Sequence, residues 1–443
     1  MSRLIRAVAD FCTQYGFDKT YWVGFSGGLD STVLLDACAS LRVSLPIKLN
    51  AIYINHGLSP NAHIWAAHCE QVCVELSIPF YHRAVQLDLS DGVSLEEVAR
   101  EGRYKAFASL LEKDDVLLTA HHQDDQAETM LLQLFRGAGP KGLSAMPSMK
   151  SFAQGYQGRP LLAFTRAALE TYAAEQALTW IEDESNLDTT FSRNFLRNDI
   201  LPLLKKHWPG VTKSIARSAA HCSETQALLD DFSKKELLQI AGSKPDTLSV
   251  SQLLTLPIEK RRLLLRAWID QQGFLLPDTK RLQSICTSVL TAAKDRFPCV
   301  QWGDIEVRRY QDDLYLMDAL LPLDVLQEKE WDFSSELEIS GLRLKVVSSA
   351  EGLSQAVNSV TVRFRRGGEV INLPGRGSHT LKNLFQEWQV PIWLRDRIPL
   401  LFIGDKLIAV VGYAIDVDYV VKPNEPGRAF VQDFSHECSL DVA

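Results

Sequence analysis

The N-terminal third of the chain alternates short apolar segments with longer amphipathic ones, and this alternation restricts the folds that it can adopt. The predicted strands cover residues 21–25, 47–55, 80–87 and 116–119. The predicted helices cover residues 30–41, 61–76, 94–112 and 124–135. Strands separated by helices of this length form parallel sheets with helices on both faces. A ligand is therefore expected at the carboxyl ends of the strands, where two polar clusters fall.

The first polar cluster, residues 26–31 (SGGLDS), joins the first predicted strand to the following helix. Its two glycines let the backbone approach a ligand closely. The helix adds free N–H groups and the positive end of its dipole, a combination typical of a phosphate-binding loop. Asp30 can either cap the helix or hold a metal ion, and a simple glycine turn with Asp30 as the cap is the alternative. The absence of a lysine excludes a Walker A loop.

The second polar cluster, residues 120–129 (AHHQDDQAET), follows the strand predicted at 116–119. Asp124 and Asp125 share a helix face with Glu128, because side chains three or four residues apart are neighbours. Acidic groups in the first turn also complement the helix dipole. His122 beside these carboxylates can move a proton, orient a nucleophile or help to hold Mg²⁺. A solvated, well-capped helix start is the alternative.

Several motifs occur along the chain in the same order as in known protein families. Residues 26–31 are similar to the PP-loop (SGGxDS) of the N-type ATP pyrophosphatases, and with residues 120–129 the chain resembles the tRNA(Ile)-lysidine synthase family. Further motifs of that family are matched at residues 137–147, 159–162 (RPLL), 183–186 (DESN) and 193–197 (RNFLR). The resemblance is close over residues 21–200 and looser over about 360–420.

The resemblance implies three domains. A parallel five-stranded Rossmann-like sheet with helices on both faces would form an ATP pyrophosphatase domain at 1–210. A mostly helical domain at 211–345 and a small α+β domain at 355–435 would follow, both in contact with tRNA. Residues 137–158 are predicted to be a Gly/Pro/Ser-rich loop.

The resemblance also implies a two-step reaction. ATP adenylates the wobble cytidine of the isoleucine tRNA with a CAU anticodon, pyrophosphate leaves, and L-lysine displaces AMP to give lysidine. The implied catalytic residues are Asp30, Arg103, His122, Asp125 and Glu128. The implied ATP-binding residues are Ser26, Gly27, Gly28, Leu29, Asp30 and Ser31. Asp30 and Asp125 are the candidates for a Mg²⁺ site, and the role of His56 is left open.

The net charge of −8 argues mildly against a nucleic-acid partner, but its distribution along the chain does not. Residues 201–300 carry 15 basic and 9 acidic side chains (15 − 9 = +6), and residues 351–400 carry 7 and 4 (7 − 4 = +3). Basic side chains are the usual contacts to RNA phosphates. The predicted tRNA-binding residues are Arg193, Arg197, Lys205, Lys206, Arg363, Arg365, Arg366, Arg395 and Arg397. An ordinary solvated face is the alternative for each cluster.

The eight cysteines form no CxxC pair, which disfavours a zinc or iron–sulfur site and favours free thiols in a reducing cytosol. No apolar run reaches the roughly 18 residues that a membrane span needs. The N-terminal segment lacks the apolar core of a secretory signal. We therefore predict a cytoplasmic protein without membrane association, and the resemblance is compatible with a homodimer.

Three other functions compete with this prediction. A tRNA 2-thiolase of the same superfamily is one, although thiolases of the iron–sulfur type carry CxxC pairs that are absent here. A small-molecule amidating synthetase would need an ammonia-generating domain or dedicated acid-binding motifs. A non-catalytic tRNA-binding module would not need both polar clusters intact.

Overall fold

The computed structural model describes residues 2–55, 57, 59, 61–85, 95–182, 184, 188–293, 296–422 and 425–434. The chain forms two compact units, Met1–Asp230 and Asp231–Ala443. The division into three domains at 1–210, 211–345 and 355–435 stays a prediction. No helix within the described ranges is both long and apolar enough to cross a membrane.

The first unit is an α/β structure. Its described strands are β1 (Thr20–Gly24), β2 (Lys48–Asn55), β3 (Phe80–Ala84), β4 (Val116–Leu118), β5 (Met149–Phe152) and β6 (Gly155–Gly158). Its described helices are α1 (Arg3–Tyr15), α2 (Leu29–Leu41), α3 (Ala62–Glu75), α4 (Leu95–Ala108), α5 (Gln123–Phe135), α6 (Pro140–Leu143), α7 (Arg166–Glu175), α8 (Ser192–Phe195) and α9 (Leu201–His207). A π-helical turn at Leu196–Ile200 connects α8 to α9, and α10 (Val211–Gln239) crosses the boundary between the units.

The strands of this unit form one sheet in the order β3-β2-β1-β4-β6-β5. The pairs from β3 to β6 are parallel, which confirms the predicted parallel five-stranded sheet. β5 adds an antiparallel edge strand through a hairpin with β6. The loop predicted over residues 137–158 therefore contains α6 and this hairpin. The hairpin is closed at Ala153, whose φ of +50° suits a tight turn between antiparallel strands.

Helices cover both faces of the sheet. On one face α2 packs with α1 and α7, and Val33, Leu34 and Leu35 are completely buried there. Such burial on several sides is typical of a central helix. On the other face Phe107 of α4 packs with Trp22 of β1 in a separate apolar cluster. The two clusters hold the strands rigidly, so the loops after β1 and β4 have fixed positions.

The second unit combines helices with antiparallel sheets. Its described helices beyond α10 are α11 (Val250–Thr255), α12 (Ile258–Gln271), α13 (Thr279–Ser284), α14 (Leu381–Glu387) and α15 (Ile392–Arg395), with a π-helical turn at Ile285–Val289. Its first described strands are β7 (Leu248–Ser249), β8 (Cys299–Trp302), β9 (Ile305–Tyr310) and β10 (Asp313–Asp318). Its later described strands are β11 (Lys329–Trp331), β12 (Leu337–Ile339), β13 (Leu342–Ser349), β14 (Leu353–Ser354), β15 (Val360–Arg363), β16 (Val370–Leu373), β17 (Gly377–Thr380), β18 (Leu400–Ile403), β19 (Lys406–Val410), β20 (Ala414–Ile415) and β21 (Gly427–Phe434).

The sheets of the second unit refine the predicted fold. The middle helices α11, α12 and α13 share a core with the sheet β7-β10-β9-β8, so the helical middle part also contains a small sheet. The C-terminal part has the sheets β11-β15-β18-β19-β20, β12-β13-β21-β14 and β16-β17. With α14 and α15 it is an α+β structure, as predicted, in which strands predominate.

Candidate active site at the carboxyl edge of the sheet

The loop at residues 26–31 leads from β1 into α2. Gly28 is the N-cap of α2, and no described side chain caps this helix end. Ser31 Oγ accepts a hydrogen bond from Ser26 N at 3.2 Å and lies 3.1 Å from Ser26 Oγ. The loop is thus held in a compact turn at the helix N-terminus, where backbone N–H groups can bind an anion.

Two loop positions show why this motif has glycine and leucine. Gly27 has a φ of +79°, and a Cβ at this position would lie 2.9 Å from Cys69 Sγ. Glycine alone fits there without strain. Leu29 is buried in the apolar core of the first unit. Its side chain anchors α2, so the side chain is not free to contact a ligand in the loop, and the predicted ATP contact of Leu29 could be made only by its backbone.

The second cluster lies beside this loop because β1 and β4 are adjacent parallel strands. His122 Nε2 is 3.5 Å from Asp30 Oδ2 and 3.5 Å from Asp125 Oδ2. Asp125 Oδ2 also accepts a hydrogen bond from His122 N at 2.9 Å, which fixes the start of α5. The structure therefore brings together Asp30, His122 and Asp125, which the sequence places in two separate motifs.

The charges around His122 favour its protonated form. Its side chain is only 1% exposed, and burial by itself lowers the pKa of an imidazole. The contact with Asp30 and the negative charges of Asp125 and Asp124 outweigh burial and raise the pKa of His122. The net shift of Asp125 has the opposite sign. Burial raises the pKa of its carboxyl group, but the positive charges of His122 and Arg193 hold that pKa well below its usual value.

Arg193 and Arg197, both predicted to bind tRNA, point into the carboxylate cluster. Their Nε atoms donate to Glu128, at 2.8 Å from Arg193 and 2.7 Å from Arg197. Their Nη2 atoms donate to Asp125 Oδ1 at 3.2 and 2.8 Å. Glu128 is completely buried, so two carboxylates and two guanidinium groups neutralise one another here.

The π-helical turn explains why Lys205 reaches the same cluster, where its Nζ pairs with Asp124 Oδ1. In a regular α-helix Lys205 would lie about 120° around the axis from Arg193, because each residue turns the helix by about 100°. One extra residue in a π-helical turn reduces this angle to about 20°. Lys206 is exposed and has no ion-pair partner among the described residues. The sequence contains no signal for the π-helical turn.

Asp30 is the described residue that fits a cation best. Its Oδ1 is buried and accepts no hydrogen bond from any described group. Its Oδ2 lies 3.9 Å from Nη1 of Arg166, a residue that the sequence motifs did not identify. Both oxygens of Asp125, in contrast, already accept hydrogen bonds.

Protein side chains alone do not form a complete metal site in the described part of the chain. No group of three or more His, Cys, Asp or Glu side chains there has a suitable arrangement. Mg²⁺ is usually bound by one or two carboxylates together with substrate phosphates. A Mg²⁺ ion at Asp30 would fit this pattern, with ATP supplying further oxygens.

A polar network that the sequence did not predict lies next to the cluster. Arg159, from the RPLL motif, donates to Gln157 Oε1 at 2.7 Å. Gln157 Nε2 donates to Thr119 Oγ1 at 3.2 Å and to Tyr104 Oη at 3.0 Å. Thr119 Oγ1 lies 3.0 Å from His121 Nδ1, and burial lowers the pKa of His121 to about 3. His121 is therefore a neutral imidazole near pH 7, unlike its neighbour in the sequence.

Arg103 belongs to a basic group around Tyr104. The guanidinium carbon of Arg103 is 5.9 Å from the centre of the Tyr104 ring. The charged groups of Arg100 and Lys150 lie at 5.4 and 6.0 Å from the same ring. Cations around an aromatic ring suit contacts with nucleic acid. The structure thus adds two cations to the arginine that the motif identified.

In the second unit, three of the predicted tRNA-binding arginines pair with surface carboxylates. Arg363 Nε lies 3.1 Å from Glu328 Oε2, and Arg366 Nη2 lies 3.4 Å from the same oxygen. Arg365 Nη1 lies 3.1 Å from Asp396 Oδ1. Both carboxylates are about half exposed, so these pairs remain accessible to solvent.

Arg395 and Arg397 instead make contacts within the second unit. Arg395 donates to Tyr310 Oη at 3.0 Å and to the carbonyl oxygen of Val390 at 2.9 Å. Arg397 donates to the carbonyl oxygen of Leu321. Beside them Trp393 packs edge-on against Tyr310, with ring centres 6.2 Å apart. Arg395 and Trp393 thus connect α15 to Tyr310 of β9.

Two of the sequence predictions fall on residues that lie wholly or partly outside the described part of the chain. His56 and most of the motif at 183–186 lie outside the described residues, with only Glu184 of that motif described. The seven cysteines for which the structure gives a state are free thiols, and five of them are buried.

Three family models match successive parts of the chain. A PP-loop domain matches residues 2–204, a TilS substrate binding domain matches residues 248–315, and a TilS substrate C-terminal domain matches residues 360–430.

Curated proteins are similar over nearly the whole chain. A tRNA(Ile)-lysidine synthase of Coxiella burnetii is 44% identical over 423 residues, covering 94% of each chain. One of Legionella pneumophila (strain Paris) is 43% identical over 92% of this chain and 94% of its own. One of Shigella flexneri is 40% identical over 92% of this chain and 95% of its own. Among solved structures, a U34-tRNA thiolase of Methanococcus maripaludis covers 50% of this chain and 78% of its own, with 23% identity and a TM-score of 0.42.

Proposed function

The chain belongs to the tRNA(Ile)-lysidine synthase family, and from this premise we propose how its residues carry the reaction. It is an ATP-dependent ligase that converts the wobble cytidine of the CAU-anticodon isoleucine tRNA to lysidine. The observation that supports the proposed division of roles is the meeting of residues 26–31 and 120–129 at one edge of the sheet. The relatives do not favour a thiolase or a non-catalytic module.

The PP-loop is the proposed site of the ATP phosphates. The N-terminal N–H groups of α2 and the hydroxyls of Ser26 and Ser31 would bind the pyrophosphate portion. Asp30 would hold Mg²⁺ through its unpaired Oδ1, and Asp125 is the weaker candidate because both its oxygens have donors. When bound, Mg²⁺ would neutralise negative charge on the leaving group.

The buried ion pairs behind this loop are the proposed scaffold of the adenylation site. Glu128 holds the Nε atoms of Arg193 and Arg197, so their guanidinium planes are fixed. These two side chains are 21% and 26% exposed, which leaves an edge for a phosphate of ATP or tRNA. Fixed donors of this kind stabilise developing negative charge without reorganisation. The predicted tRNA contacts of the two arginines would be made from this edge.

Lysine attack requires an amine that has lost its proton. Glu128 and His122 are both among the implied catalytic residues, but both oxygens of Glu128 already accept hydrogen bonds from arginines. We therefore assign removal of the amine proton to the neutral form of His122, which the nearby Asp30, at 3.5 Å, makes a stronger base. Free L-lysine is the proposed second substrate: its ε-nitrogen would form the new bond to C2 of the cytosine while the bond from C2 to the adenylated oxygen breaks and AMP leaves.

The remaining tRNA contacts are assigned to the basic side chains with solvent access. Lys206 is exposed in the first unit, and Arg363, Arg365 and Arg366 make exchangeable surface pairs in the second. The three arginines would give residues 355–435 their proposed tRNA-binding role, and the tRNA contact of residues 211–345 stays a prediction from the net charge of +6 over residues 201–300. The homodimer and the cytoplasmic localisation stay predictions, and analytical ultracentrifugation would test the former.

The deciding assay supplies the protein with ATP, radiolabelled lysine and the CAU isoleucine transcript. Label should enter the tRNA in proportion to the pyrophosphate released, and a transcript with uridine at the wobble position should remain unlabelled. Pyrophosphate release without labelling of the tRNA would contradict the proposed function.

Asp30→Ala tests the proposed role of the loop. The variant should lose pyrophosphate release by at least about a thousandfold, because the pyrophosphate charge would no longer be neutralised. Its affinity for tRNA should remain. Asp10→Ala, an exposed position on α1, is the matched control. Normal turnover by Asp30→Ala would refute the assignment of the loop.

A further inference from the structure

An exposed indole follows the helix that reaches the active site. Trp208 comes directly after α9, and it is 56% exposed. The His207 ring packs edge-on against it, with ring centres 4.4 Å apart and planes at 86°. The contact with His207 fixes the orientation of the indole, and more than half of the Trp208 side chain is open to solvent, where a planar group could bind.

The charges near Trp208 match a polyanion. Lys205 is engaged with Asp124, whereas Lys206 is exposed and has no ion-pair partner in the described ranges. An exposed aromatic ring beside a free cation is the usual combination for unpaired RNA bases, since the ring stacks on a base and the cation binds the backbone. The positive charges of the adjacent lysines disfavour a purely apolar protein partner at this position.

The position of Trp208 ties it to the reaction. Lys205 contacts the acidic cluster, and Trp208 follows Lys205 by three residues, directly after the end of α9. A wobble base that reacts beside Asp30 and His122 carries its neighbouring anticodon nucleotides with it. Those bases must unstack from the wobble base before it enters the site. Each unstacked base can then stack on an aromatic side chain of the protein instead.

We propose that Trp208 is a stacking platform for an anticodon-loop base next to the wobble cytidine, and that Lys206 binds the adjacent phosphate. This inference rests on the proposed function of the site. It gives the protein a contact that recognises an unpaired loop, in addition to its contacts with phosphates.

The test compares Trp208→Ala, Trp208→Phe and Lys206→Ala in the full-length protein, with the CAU isoleucine transcript as the probe. Trp208→Ala should raise the KM for tRNA about tenfold, with unchanged KM values for ATP and lysine. Trp208→Phe should keep most of the affinity. Trp208→Ala should leave the salt dependence of tRNA binding unchanged, whereas Lys206→Ala should reduce its slope by about one.

Leu203→Ala, a change at a 66% exposed apolar position of α9, is the control. A Trp208→Ala variant with the same KM for tRNA as Leu203→Ala would overturn the inference. Equal losses in Trp208→Ala and Trp208→Phe would also overturn it, because stacking tolerates phenylalanine. Failure of the wild-type protein to label tRNA would instead refute the proposed function, so the two failures are distinguishable.

Discussion

Arginine–carboxylate pairs in the two units differ in how firmly they are held. In the first unit Arg193 and Arg197 are fixed by Glu128, which is completely buried. In the second unit Arg363 and Arg366 share Glu328, which is 47% exposed. All four arginines were predicted to bind tRNA from the same reasoning about basic residues.

The difference shows that burial of the acidic partner decides what an arginine can do. Removing one member of a buried pair leaves an uncompensated charge, whereas a surface pair contributes little and exchanges readily. The first set of arginines is therefore suited to hold an active site in shape. The second set is suited to release its carboxylates in favour of phosphates.

Removal of the negative charge of each shared carboxylate should give the largest difference between the two units. Glu128→Gln should lower the free energy of unfolding by about 3 kcal/mol, because two guanidinium groups lose a buried partner. Glu328→Gln should change it by about 0.5 kcal/mol or less. Urea denaturation measures both. Equal effects of the two substitutions would show that burial does not separate the two sets.

Charge reversal at Arg365 and Arg366 tests whether the arginines of the second unit bind tRNA. Arg365→Glu combined with Arg366→Glu should weaken tRNA binding at least about tenfold and reduce the dependence of log Kd on log salt by about two, one for each phosphate that the variant no longer binds. Arg343→Glu combined with Lys345→Glu is the matched control, since both residues make surface pairs with Glu336. An unchanged salt slope in the first variant would exclude Arg365 and Arg366 from the interface.

Arg395 tests whether an internal arginine behaves differently from a surface one. Arg395→Ala should lower the free energy of unfolding by about 1 kcal/mol, because the hydrogen bond to Tyr310 is removed. The salt slope of tRNA binding should not change. Tyr310→Phe removes only the hydroxyl and should reproduce most of the loss of stability. A reduced salt slope in Arg395→Ala would instead support the prediction from the sequence that Arg395 binds tRNA.

The smallest expected effect concerns pH. The pKa of His122 is raised in the folded protein, so its protonation stabilises the fold fully below its unfolded pKa of about 6.5. This contribution disappears as the pH rises through the folded pKa. The loss of stability in His122→Gln should therefore be larger at pH 5.5 than at pH 9. His221→Gln, at an exposed position, is the control. A loss in His122→Gln that does not vary with pH would contradict this account.

The sequence predicted the fold of the first unit well because its signals are local. The alternation of strands and helices required a parallel sheet, and the glycines at 26–31 required a loop at its carboxyl edge. The hairpin of β5 and β6 was missed, because a stretch rich in glycine, proline and serine does not distinguish a loop from short edge strands.

Which charged side chains form ion pairs became known only from the tertiary structure. A basic residue has the same sequence signature whether it contacts RNA phosphate or a carboxylate, because both are anionic acceptors. Arg193 could be assigned to Glu128 only when the packing of α8 against α5 was known. The π-helical turn that turns Lys205 towards Asp124 likewise depends on the packed helix. The local sequence patterns were thus enough to predict the sheet, the loop and the family motifs, whereas burial in the folded chain determined which arginines are fixed by a buried carboxylate and which pair with a solvent-accessible one.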